Sequence, residues 1–119
     1  MKMKLLLGST LLLASTLVST GALADCTYPK APDAPDAKTA TQPEMLAAMT
    51  AFKQYNADVD AYVTCLDEET TAKVKDAGGA GAIMQIKAMQ SKKKSSAMDE
   101  RAAKIEIFNK AVRDFKARG

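Results

Sequence analysis

The chain is predicted to be all-α: an antiparallel, coiled-coil-like helical hairpin with an extended N-terminal strap and one disulfide. Three observations point there. A capping box opens an apolar run at heptad spacing, three glycines fall within four residues at Gly78, Gly79 and Gly81, and a second apolar run follows at helical spacing. The only two cysteines, Cys26 and Cys65, sit one on each side of the capping box.

Residues 1–24 read as an export signal. Lys2 and Lys4 form a positive n-region, Leu5 to Val18 an apolar stretch broken by Gly8, Ser9 and Thr10, and Ala22-Leu23-Ala24 a small-x-small cleavage site. The stretch is shorter than the ~20 residues a bilayer span requires. Asp25 stands before Cys26 where a lipoprotein signal would carry a small residue. A periplasmic or secreted protein without a membrane span is expected, and in that oxidising setting Cys26 and Cys65 are expected to pair.

Cleavage after Ala24 removes two of the 17 basic residues and leaves 15 against 14 acidic ones, a formal charge of +1. The remaining charge is segregated. Residues 43–69 carry Lys53 against Glu44, Asp58, Asp60, Asp67, Glu68 and Glu69, whereas residues 84–118 hold ten basic and four acidic residues. The halves are expected to pair with each other before either seeks an external polyion.

Residues 25–42, with Pro29, Pro32 and Pro35, show no helical or alternating period and read as an extended, polyproline-like strap. Thr41-Gln42-Pro43-Glu44 then matches a capping box, with Pro43 tolerated in the first turn. The hairpin domain is placed over residues 43–119. In its first helix, Met45, Met49, Phe52, Asn56, Val59, Val63 and Leu66 alternate steps of four and three, and the end is expected between Thr70 and Asp76. Asn56, the one polar residue in that seam, either fixes register or lies at its edge.

Ile83, Ile86 and Met89 suggest a short helical stretch, and Gln90 to Ser96 is open between helix and break. Ser96 to Asp99 could cap a fresh helix whose apolar positions are Met98, Ala102, Ile105, Phe108, Val112 and Phe115. Laid antiparallel, the two seams mate wherever residue numbers sum to 160 or 161, from Met45 with Phe115 to Val63 with Met98. Each large apolar side chain so buried contributes about 1.5–3 kcal/mol. Nearer the glycine turn the same register opposes Thr70 to Ser91 and Lys73 to Lys87, so local opening is expected there.

A Cys26–Cys65 bridge requires the strap to return along the first helix. That helix rises roughly 33 Å from Pro43 to Cys65, and the strap can reach roughly 50 Å. A second stripe of Ala48, Ala51, Tyr55, Tyr62 and Cys65 offers Tyr28 and the prolines a surface. Closing this loop would stabilise the fold by about 4 kcal/mol in the chain-entropy model.

No catalytic, cofactor or metal site is expected. The chain has no His, and both thiols are spent on the bridge. Met45 and Met49 at i, i+4 suit Cu(I) as soft ligands, but their seam positions account for them as core filler. Asp58 with Asp60 and Glu68 with Glu69 share no helix face and read as surface charge. Lys92, Lys93 and Lys94 could touch an anionic polymer, yet no aromatic interleaves with them, which disfavours nucleic acid. Ile83, Ile86 and Met89 have no assigned burial site, so with the three lysines they are the candidate interaction residues, toward a protein partner or a second copy.

Tyr62-Val63-Thr64-Cys65-Leu66 and Phe108-Asn109-Lys110-Ala111-Val112-Arg113-Asp114-Phe115-Lys116, with Cys26 just after the signal, resemble a pattern in small exported proteobacterial helical proteins without an assigned role. The resemblance covers most of the exported chain, and its motifs are core and disulfide positions that transfer no activity. A looser similarity of class links the chain to small helical periplasmic chaperones that expose apolar surface under stress. The expected function is a non-catalytic envelope interaction module, with a chaperone as the alternative.

Overall fold

A computed structural model describes residues 26–119; the export signal read at 1–24 lies outside them. Among the described residues there are two helices, α1 (Gln42–Lys75) and α2 (Ala80–Ala117), and no strand. They pack as a hairpin, with residues 26–41 lying along it as an extended strap.

The capping box is as the sequence predicts. Thr41 is the N-cap of α1, its hydroxyl accepts from the Glu44 amide at 3.3 Å, and the Glu44 carboxylate accepts from the Thr41 amide at 2.7 Å. Lys73 and Lys75 in the last turn favour the negative end of the helix dipole. Gly79, at φ 157°, occupies backbone space that side-chain-bearing residues rarely adopt and reverses the chain. α2 begins there with no side-chain cap and no acidic residue in its first turn. It then runs unbroken for 38 residues, so Gln90 to Ser96 is helical and no fresh helix starts at Ser96.

The predicted register is present. Phe52 stacks on Phe108 with centroids 4.4 Å apart, Asp60 pairs with Arg101 at 2.6 Å, and Asp67 pairs with Lys94 at 2.7 Å, all at sums of 160 or 161. The acidic helix therefore faces the basic one, as the charge segregation predicts. What differs is which faces close. The buried stripe of α1 is Met45, Ala48, Phe52, Tyr55, Val59, Tyr62, Leu66 and Glu69. Ala48, Tyr55 and Tyr62 take the places expected for Met49, Asn56 and Val63.

The strap causes that rotation. Instead of lying on the outside of α1, it fills one of the two grooves between the helices. Tyr28 meets Tyr62 edge-on at 5.2 Å and donates to Glu100 on α2, Ala31 and Ala34 pack against the core, and residues 34–38 border an open pocket with Ile107, Lys110 and Ala111. Apolar side chains turned toward the covered groove are buried on three sides. On the opposite side Met49 and Met98 are 40% and 47% exposed, Ala102 is exposed, and Asn56 lies at the edge, accepting from Arg101 at 3.2 Å.

α2 completes the core with few apolar residues. Ala97, Phe108 and Ala111 are buried, and between them Arg101 and Lys104 are half-buried. Their aliphatic stems cover the core while their charged heads reach its rim.

Candidate functional site

The strap is fastened at both ends. At one end Cys26 and Cys65 form the disulfide, with Cα atoms 5.7 Å apart. At the other, Asp36 builds a turn in which its carbonyl accepts from the Thr39 and Ala40 amides at 3.1 and 2.8 Å and its carboxylate from the Lys38 amide at 2.9 Å. The Arg118 guanidinium, from the end of α2, donates to the carbonyls of Ala37 and Ala40 at 3.0 and 2.9 Å and lies over the Phe115 ring. Pro29 and Ala40 are buried along the way.

Beside the disulfide, one turn along α1, lies a polar node. Glu69 is 8% exposed and ion-pairs with Lys73, and one of its oxygens is 3.3 Å from Cys26 Sγ. The bridged sulfur carries no proton, so this is a close contact and not a hydrogen bond. Lys73 holds the Glu69 carboxyl below the usual range against the desolvation that pushes it up, with the charge of Lys93 and the amide of Gln90 assisting. Gln90, 2% exposed, donates to the Leu66 carbonyl at 3.4 Å, while its Oε1 has no partner. The Glu69–Lys73 pair lies within α1, and the bond that ties the node to α2 is that of the Gln90 amide to the Leu66 carbonyl.

Tyr28 and Tyr55 flank the covered groove. Donation to Glu100, followed by burial and the Glu100 charge, pushes the Tyr28 phenol up to about 12. Burial raises Tyr55, with Glu100 assisting and Arg101 opposing. Both rings are thus neutral over the ordinary pH range, and Tyr28 is a hydrogen-bond donor there. Among the described residues no three His, Cys, Asp or Glu cluster as metal ligands, and no helix is long and apolar enough to cross a membrane.

The candidate interaction residues divide into two groups. Past Leu66 and the disulfide the hairpin continues without the strap. Here Ile83 and Ile86 are half-buried, Met89 is 60% exposed and Met84 is 72% exposed. Ile86 and Met89 share a shallow groove of about 220 Å³ with Lys73, Ala82, Gln85 and Gln90, and Ile83 lies outside it. The lysines form no single patch. Lys92 is exposed, Lys93 is half-buried toward Glu69, and Lys94 is spent on Asp67.

Sequence reasoning missed the Glu69 node, the Tyr28–Glu100 bond and the Arg118 clamp. The first left a trace, since Cys65, Glu69 and Lys73 succeed one another at i, i+4 and therefore share a face. No protein-family model matches the chain, and no curated protein or solved structure does. Fold and site define a class by themselves: a disulfide-strapped antiparallel helical hairpin.

Proposed function

We propose that the chain is an exported, non-catalytic envelope protein that serves as a helical protein–protein interaction module. The observation that carries this reading is the apolar tip. Met84 and Met89 are exposed beside half-buried Ile83 and Ile86, in the part of the hairpin that the strap does not reach. Methionine suits such a surface because its unbranched, polarisable side chain adapts to the partner. The Cys26–Cys65 bridge and the signal-like residues 1–24 support an oxidising compartment.

A photocrosslinking residue placed at Met89 in cells is expected to capture an envelope protein, and one placed at Ala57, on the exposed side of α1, is not. Absence of any adduct from Met89 or Met84 would remove the reading.

One further observation favours a second use. Four methionines, Met49, Met84, Met89 and Met98, are exposed on one small molecule, a surface suited to loose capture of unfolded clients. A stress chaperone of this kind should suppress aggregation of a model client under acid or heat but not at neutral pH and moderate temperature. Equal behaviour in all conditions, or no suppression, leaves the interaction module alone.

A further inference from the structure

α2 carries a second apolar stripe along the flank that the strap leaves open, with Ile105 and Val112 reaching partly into the core and Met84 and Met98 exposed. From Met84 to Val112, the positions that recur at alternating steps of four and three on that flank contain no charged residue, although this helix is otherwise dense in Lys, Arg, Asp and Glu. Met84, Met98, Ile105 and Val112 provide its bulk, and alanines and serines lie between them. Met84 and Met98 are 72% and 47% exposed, and Ile105 and Val112 are half-buried. The stripe is roughly 42 Å long.

We propose that this stripe is the interface of an antiparallel homodimer, in which α2 of one copy crosses α2 of a second about a two-fold axis at Met98. The proposal rests on the interaction-module reading and extends it from the tip, with which the stripe shares Met84, along the length of α2. The stripe is asymmetric along its length in a way that an antiparallel copy cancels. Past Met84 its first half is small (Ala88, Ser91, Ser95), and its second half, apart from Ala102, is bulkier (Ile105, Asn109, Val112).

In the register centred on Met98, Ser91 meets Ile105 of the second copy and Ala88 meets Asn109, so small residues receive larger ones, and at each end Met84 packs on Val112. A two-fold interface must be self-complementary in just this sense. Charge agrees. On the rim of the stripe the same register sets Lys92 against Glu106 of the other copy, twice. Lys92 is exposed and makes no ion pair among the described residues, while Glu106 holds only an exposed pair with Arg113 at 3.0 Å. Asp99 falls opposite itself on that rim, so Asp99→Asn is expected to tighten the dimer.

Sedimentation equilibrium of the full exported chain, disulfide intact, should show a reversible dimer. Reversing Lys92 to Glu sets it against Glu106 at two symmetric places and should weaken the dimer roughly tenfold, and the double variant K92E/E106K should restore it. A thiol at Met98→Cys should form a symmetric intermolecular disulfide under mild oxidation, whereas one at Ala57→Cys should not. A monomer at every concentration overturns the proposal, as does a dimer indifferent to Lys92→Glu and unlinked through Met98→Cys. Because the Met89 crosslink is read in cells and from a residue outside the stripe, capture of an envelope protein by a strictly monomeric chain would overturn the homodimer and leave the interaction module standing.

Discussion

The two grooves of this hairpin are built by the same two helices and meet opposite fates. On one side the strap, fastened by a disulfide at Cys65 and by Arg118 at the base, lies over Tyr62 and packs Ala31 and Ala34 against the core. On the other, Met49 on α1 and Met98 on α2 are left exposed. A two-helix hairpin has too little interior to bury both flanks of its seam. A covalently tethered extended segment supplies a third layer to one flank and leaves the other free to meet a partner.

The largest effect should come from releasing the tether. Cys65→Ser, or reduction, opens a loop of 39 residues and removes about 4 kcal/mol in the chain-entropy model, a drop of roughly 15 °C or more in Tm for a domain of this size. Thermal melts followed by circular dichroism with and without reductant measure it. An unchanged Tm would mean that the strap adds nothing to the groove it covers.

The next contrast sets the core against the open flank. Phe108→Ala removes the partner of the Phe52 stack and should cost about 3–4 kcal/mol in urea unfolding, whereas Met98→Ala should stay within about 0.5 kcal/mol for the monomer. Comparable costs would place Met98 in the core and erase the distinction.

Two smaller effects depend on pH. The folded-state pKa of Glu69 is depressed, so its contribution is present above its ordinary value of 4.5 and is lost as pH falls through the lower folded value. Glu69→Gln should flatten the acid limb of the stability curve, and an unaltered limb would show that the node at the disulfide is electrostatically idle. Tyr28 has the opposite sign. Its pKa is raised from 10.0 to about 12, so its contribution is complete below pH 10 and lost as pH rises through about 12. Tyr28→Phe should remove that alkaline loss, read as Tm against pH.

The comparison also explains what the sequence could and could not disclose. The capping box at Thr41, the glycine turn, the antiparallel register and the Cys26–Cys65 bridge are each carried by local residue types or by a periodicity shared between two segments, and all are present in the structure. The face of the seam was not legible. Met49, Val63, Met98 and Ala102 are as apolar as the buried Ala48 and Ala97, and only the position of the strap decides between adjacent stripes. The continuity of α2 was hidden for a related reason. Gln90, Lys93, Lys94 and Arg101 look like a polar interruption, but opposite an acidic helix their stems pack and their charges are met by Asp60, Asp67 and Glu69. Of the candidate interaction residues, Met89 is exposed and Ile83 and Ile86 are half-buried, while the lysine run is divided because successive helical residues point about 100° apart.

The tip gives a second contrast, between two helix starts. α1 begins with both arms of a capping box, and α2 begins at Gly79 with no side-chain cap and no first-turn acid. The uncapped start adjoins the exposed methionines, so the surface proposed for partners belongs to the least secured end of the fold.

The central claim, that the strap closes one flank of the hairpin and leaves the other open, is tested most directly at two neighbouring positions. In dilute solution with the native disulfide intact, a thiol introduced as Ala48→Cys should be strongly protected from alkylation, because Ala48 is buried, while one introduced as Met49→Cys should react at nearly the rate of a free thiol. Equal reactivity at the two sites, or protection at 49 with reaction at 48, would contradict the account.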